Sequence, residues 1–242
     1  NGRGALWILF LRADGTVRSQ VRIAQGAGGF SGTLAASGRF GESLCALGDF
    51  DGDGTPDLAV GSWLAEAWIL LLNTDGTVKA NTRAVYGNTF TQPRSLARLG
   101  DLDGDGLPEL VAGEPNVAPS GSAWILYLRA DGTLRTKRKI PTPHSGESGT
   151  LAPVAFGSSA APLGDLDGDG VLDLAIGDPS ANDGADDRGA VWIFFLNADG
   201  SVESSRRLGN GTRAFATGET ESVAWSKPKT RPPYRSQICA HA

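Results

Sequence analysis

The sequence predicts an all-β protein: four-stranded antiparallel sheets, each wedge-shaped, packed radially as the blades of a β-propeller. Three observations predict it. An apolar run with an adjacent Trp-Ile pair, followed by Asp-Gly, occurs four times. A nine-residue stretch of alternating carboxylates occurs three times, each time between two short apolar runs. Those flanking runs are poor in large side chains, whereas the Trp-Ile runs are rich in them.

The Trp-Ile element comes first. Gly4 to Leu11 followed by Arg12-Ala13-Asp14-Gly15-Thr16-Val17 returns at 65–78, 121–134 and 189–202, with Trp68-Ile69, Trp124-Ile125 and Trp192-Ile193. Each copy is an apolar, β-branched and aromatic run, then Asp-Gly, then a second run. That is a hairpin signal, and Asp-Gly suits a primed turn between twisted strands. The apolar runs have strand length rather than helix length. Adjacent Trp and Ile point to opposite faces of a strand, so both faces are apolar and the sheet is expected to lie between two others.

The acidic element follows. Asp49, Asp51, Asp53 and Asp57 carry the first copy, Asp101, Asp103, Asp105 and Glu109 the second, and Asp165, Asp167, Asp169 and Asp173 the third. Four carboxylates within nine positions repel one another unless a cation sits among them. Carboxylates at odd positions before a glycine turn build an oxygen cage for Ca²⁺. Gly54, Gly106 and Gly170 permit the sharp turn. Position seven needs only a backbone carbonyl, so Thr55, Leu107 and Val171 complete three expected Ca²⁺ sites. The last acidic ligand comes at position nine, at the head of an apolar run, which places it on a strand. The competing reading is a set of acidic surface turns without metal.

The runs around the loops complete the unit. Phe40 to Leu47, Phe90 to Leu99 and Phe156 to Leu163 lie upstream; Leu58–Gly61, Leu110–Gly113 and Leu174–Gly177 lie downstream. Small residues on the first two strands and large ones on the outer two make a wedge, the geometry of a propeller blade. The order is strand, loop, strand, strand, Asp-Gly turn, strand. Surplus residues fall in the connectors 141–155 and 178–188. The second of these, with Asp183, Asp186 and Asp187, is expected to be a solvated acidic loop.

With these residues in hand the sequence resembles the FG-GAP repeats of integrin α-chain-like β-propellers. Phe40-Gly41 and Phe156-Gly157 match the first signature dipeptide, and Gly113-Glu114-Pro115 and Gly177-Asp178-Pro179 stand at the Gly-Ala-Pro position. Gly61-Ser62 is a weaker match, and Phe90 is followed by Thr91. The resemblance covers nearly all of residues 1–210. It implies four-stranded blades, calcium between the first two strands of a blade, and extracellular adhesion or carbohydrate recognition; it does not imply catalysis. Integrin-like propellers have seven blades, and this chain holds three complete repeats.

The expected organisation is a propeller over 1–225: a partial blade at 1–23, repeats at about 40–85, 90–140 and 156–208, and the start of a fourth at 213–225. A Pro-rich basic tail, 226–242, follows. The propeller is four-bladed if the termini close it and otherwise part of a larger one. Open blade ends leave self-association as one expected interaction, beside protein or glycan at a cell surface or matrix.

Composition narrows the function. The net charge of −5, with acid concentrated in the loops, disfavours nucleic acid. No run is apolar and long enough to insert in a membrane, and no leader is legible, which leaves a processed chain or an internal piece. An extracellular or cell-surface location is expected, in which case Asn210-Gly211-Thr212 is a glycosylation sequon. Cys45, in a small apolar run, is expected to be a buried free thiol; a bridge to Cys239 is the alternative. No enzyme is expected. The histidines are His144 and His241 alone, no Cys/His cluster suits zinc, and the carboxylate pairs sit in cation loops. A calcium-stabilised adhesion or matrix-assembly module is the leading reading, with a lectin and a filament subunit as alternatives.

Overall fold

The computed structural model describes residues 2–64, 66–87, 94–118, 120–142, 155–181 and 189–209, and these form strands and turns without a helix. A two-stranded hairpin comes first, β1 (Leu6–Leu11) and β2 (Val17–Ile23). Three four-stranded sheets follow. The first is β3 (Ser43–Gly48), β4 (Asp57–Ser62), β5 (Glu66–Leu72) and β6 (Val78–Val85). The second is β7 (Ser95–Gly100), β8 (Glu109–Glu114), β9 (Ser122–Leu128) and β10 (Leu134–Ile140). The third is β11 (Ser159–Gly164), β12 (Asp173–Asp178), β13 (Ala190–Leu196) and β14 (Val202–Gly209). Each sheet is an antiparallel meander in chain order, as in a propeller blade. The described residues hold three blades and a half-blade.

The small-residue first strands lie together: β7 packs beside both β3 and β11. The cores lie between blades. Ala59, Ala67 and Ile69 of the first blade meet Leu110, Leu126 and Leu128 of the second. Val111, Ile125 and Tyr127 of the second meet Leu174, Phe194 and Leu196 of the third. The half-blade contributes Leu6 and Ile23 to a cluster with Trp68, Leu70 and Leu72. The adjacent-face prediction therefore holds where a blade has neighbours on both sides. In β1 it does not: Trp7, Leu9 and Leu11 are 52%, 50% and 58% exposed. Their counterparts in β5 and β9 are largely buried because a neighbouring sheet covers that face.

The signature residues have steric causes. Phe156 is fully buried and stands edge-on to Phe194, centroids 6.0 Å apart at 79°. Its main chain forms a parallel bridge with Gly121, just before β9 of the preceding blade, as Phe40 does with Gly4. Gly157 adopts φ of 93°. A β-carbon on Gly113 would collide with the Gly157 carbonyl. The two glycines thus let the first strand of one blade press against the second strand of its predecessor.

Two further sequence expectations need correction. The hairpins are not closed by primed turns. The Gly15 N–H donates to the Arg12 carbonyl at 2.9 Å and the Arg12 N–H to the Thr16 carbonyl at 2.8 Å, and Gly15 alone of the loop has positive φ, 82°. This is a three-residue loop ending in a left-handed glycine, with the bulge that accompanies it. The Asp14 carboxylate stabilises it by accepting from the Thr16 N–H and hydroxyl at 2.9 and 2.7 Å, and those bonds hold its pKa below the usual carboxylate range. Asp75, Asp131 and Asp199 repeat the arrangement with Thr77, Thr133 and Ser201. Second, Cys45 is half-buried rather than buried, with burial pushing its thiol pKa up. Phe90-Thr91, His144, the loop 182–188, Asn210, the 213–225 segment, the tail 226–242 with Cys239, and His241 lie outside the described residues.

Candidate metal centres

Each acidic loop joins the first two strands of its blade and folds on its own side chains. Asp49 accepts the Gly54 N–H at 2.9 Å, Asp101 the Gly106 N–H at 3.0 Å, and Asp165 the Gly170 N–H at 3.1 Å. Position five repeats the pattern one turn on. Asp53, Asp105 and Asp169 accept the N–H groups of Thr55, Leu107 and Val171 at 2.8, 2.9 and 2.7 Å. Gly54, Gly106 and Gly170 have φ of 85°, 88° and 90°, with open space where a β-carbon would stand. Glycine is required there by backbone conformation, not by crowding.

Position nine has a second role, across strands, that its place in the sequence does not reveal. Asp57 is fully buried at the head of β4. One of its oxygens accepts the Phe50 N–H in the loop at 2.9 Å; the other accepts the Leu72 N–H at the end of β5, also at 2.9 Å. Asp173 bonds Leu166 and Leu196 in the same way, at 2.8 and 3.3 Å. In the first and third blades the closing carboxylate is therefore a latch from the loop to the third strand. Asp57→Ala strands two N–H groups of buried residues and is expected to cost about 2–4 kcal/mol in excess chelator, where metal contributes nothing. Asp51→Ala, on the exposed loop, should shift the same denaturation midpoint by less than about 0.5 kcal/mol.

The carboxylates converge. Oxygens of Asp49, Asp51 and Asp53 lie within 4.8 Å of one another, as do those of Asp101, Asp103 and Glu109 and those of Asp165, Asp167 and Asp173. The middle loop provides a test of fit. Glu109 is fully buried; its Oε2 accepts the Leu102 N–H at 2.6 Å, and its Oε1 has no hydrogen-bond partner. Burial first, then the neighbouring Asp103, Asp105 and Asp101, push its pKa up to about 7. Burial raises Asp57 and Asp173 as well. An orphaned carboxylate oxygen among other carboxylates fits a hard, oxygen-preferring cation.

The comparisons with known proteins agree with this geometry. A family model described as FG-GAP-like repeat matches residues 49–112 and 101–176, a continuous span covering more than half of the chain and all three loops. The chain belongs to the FG-GAP-like repeat family. Integrin alpha-PS2 of Drosophila melanogaster is 32% identical over 155 residues, covering 61% of this chain and 11% of that protein. Integrin alpha-V of Gallus gallus is 30% identical over 204 residues, 76% of this chain and 18% of that protein. Integrin alpha-IIb of Homo sapiens is 30% identical over 177 residues, 67% and 16% respectively. The chain thus spans less than a fifth of the length of these relatives. It is an integrin alpha-like FG-GAP β-propeller protein.

Within the FG-GAP units, three residues facing the loops were missed in the sequence. Lys79 pairs with Asp51 at 2.6 Å and also with Asp53. Arg135 pairs with Asp105 at 2.7 Å and also with Asp103. The Lys79 bond holds Asp53 below the usual carboxylate range, and Lys79 is raised in turn, first by Asp51. In the third blade Glu203 occupies this place, its carboxylate grouped with Asp167 and Asp169. All three stand second in the fourth strand of their blades. Aligning Gly76-Thr-Val-Lys79, Gly132-Thr-Leu-Arg135 and Gly200-Ser-Val-Glu203 finds the position, but only the folded blade brings it over the loop.

Proposed function

We propose that this chain is a calcium-stabilised, extracellular or cell-surface β-propeller module that serves adhesion or matrix assembly. The observation that carries the reading is the buried, unpartnered Glu109 oxygen inside a carboxylate cage, on a family resemblance that implies adhesion and calcium loops. Asp49, Asp51, Asp53 and Asp57, then Asp101, Asp103, Asp105 and Glu109, then Asp165, Asp167, Asp169 and Asp173 would hold three Ca²⁺ ions, with the carbonyls of Thr55, Leu107 and Val171. The ions would neutralise the loops and hold the first two strands of each blade in register. Their role is structural; the reading assigns no catalysis.

The repeats are read as about 40–85, 90–140 and 156–208 within a 1–225 propeller region. Asn210 is read as a glycan acceptor, and the binding partner as a surface or matrix protein. The exposed face of Trp7, Leu9 and Leu11 is read as the seat of a further blade, because Trp68, Leu70 and Leu72 fill that role one blade on. The experiment is attachment of cells and of matrix proteins to the immobilised chain in millimolar calcium and in excess chelator. Saturable attachment lost with calcium is expected. Attachment at the level of a denatured control in both conditions overturns the adhesion reading.

A further inference from the structure

The three loops are alike in sequence and differ in what the fourth strand presents to them. In the first blade β6 brings the Lys79 ammonium against Asp51 and Asp53. In the second β10 brings the Arg135 guanidinium against Asp103 and Asp105. In the third β14 brings Glu203, with its carboxylate and those of Asp167 and Asp169 within 4.8 Å of one another. Among the described residues no Lys or Arg pairs with the third loop. One loop thus gathers five carboxylates with no internal counter-charge, while each of the others carries four and a resident cation.

Cation affinity in oxygen cages follows ligand charge and the cost of freeing the ligands. A divalent ion entering the first or second loop meets a positive group already bonded to two of its ligands. It must displace that group or bind against its field. In the third loop the field of Glu203 has the opposite sign, and the ion relieves the repulsion among three carboxylates. The three loops share the odd-position aspartates before the glycine; the strand that crosses above them brings a positive charge to the first two and a negative one to the third.

We propose that the second residue of each blade's fourth strand sets the calcium affinity of that blade's loop. Glu203 makes 165–173 the tight site, and Lys79 and Arg135 act as resident counter-ions that keep 49–57 and 101–109 weaker. The inference rests on the reading of the loops as calcium sites. Its consequence is graded loading: as calcium rises, the third blade fills first, and the first two fill over a higher range.

The test is calcium titration by calorimetry on the whole chain and on Asp167→Ala, Glu203→Lys and Arg135→Glu. The unmodified chain is expected to take one ion more tightly than the other two, and Asp167→Ala to lose the tight phase. Reversing a charge beside a divalent ion should weaken the tight phase about tenfold or more in Glu203→Lys and strengthen a weak phase by a similar factor in Arg135→Glu. Glu203→Lys should also melt higher than the unmodified chain in chelator, since it removes repulsion, yet gain less from added calcium. A merely structural role for Glu203 moves both melts together. No heat of binding in the unmodified chain overturns the calcium reading itself. Binding that persists, with both charge reversals changing affinity by less than about twofold, leaves that reading standing and overturns this inference. Arg135→Glu is a predicted gain, which misfolding does not produce.

Discussion

Phe156→Ala is expected to lower the stability of the chain by about 3–5 kcal/mol, the range for truncating a buried aromatic side chain. Phe156 is fully buried and packs edge-on to Phe194 beside Ile125 and Leu174. The ring therefore fills space between two blades, and neither blade can collapse into the gap without breaking the main-chain bridge from Phe156 to Gly121. Urea denaturation in saturating calcium is the measurement: the midpoint should fall with little change in slope. Trp7→Ala is the control. Its ring is larger but 52% exposed, and it should cost no more than about 1 kcal/mol. If the two variants lose equal stability, the core does not lie between the blades.

Calcium removal is expected to have the second large effect, and to depend on pH. An ion that binds only the folded state stabilises it by about 2.7 kcal/mol when its concentration is a hundredfold above the dissociation constant. For three loops, even partly saturated, chelation should lower Tm by roughly 10 °C at pH 7.5. The pH dependence follows from Glu109, whose pKa is raised by burial from 4.5 to about 7 in the fold. Between those values the folded state holds a proton that the unfolded chain releases. The contribution of Glu109 to stability without metal is therefore fully present below pH 4.5 and is lost as pH rises through about 7. Asp57 and Asp173, also raised by burial, add to the fall at its acidic end. In chelator Tm should drop by roughly 5 °C between pH 5 and 7.5. Calcium requires the ionised carboxylates, so its increment in Tm should grow over the same interval. Thermal melts at both pH values, with and without calcium, check this. An increment that shrinks as pH rises sinks the assignment of Glu109 to a cation site.

The sequence by itself determined the repeat, the blade and the acidic loops whose carboxylates cluster. Glycines at 54, 106 and 170 mark where the backbone must turn left-handed, and that demand is local, so it is written in the residues that meet it. The contrast between small-residue runs and large-residue runs likewise encodes the wedge, because side-chain size sets how far apart neighbouring blades stand at each strand. The double burial of β5 and β9 follows from adjacent Trp and Ile. The same pattern misleads at β1, where Trp7, Leu9 and Leu11 are exposed because burial depends on a neighbour and not on the strand itself. The turn differs from the expected one for a related reason: Asp-Gly fits two loop lengths, and the pairing of Arg12 with Thr16 chooses between them. What only the tertiary structure decided is which groups meet across strands. Asp57 reaches the Leu72 N–H, fifteen residues on, and Glu109, one methylene longer than aspartate, is left with an unpartnered oxygen. Lys79, Arg135 and Glu203 lie far from their loops in the chain and are brought over them by the antiparallel meander. Charge acts through distance in space, and that distance exists only once the blade has folded.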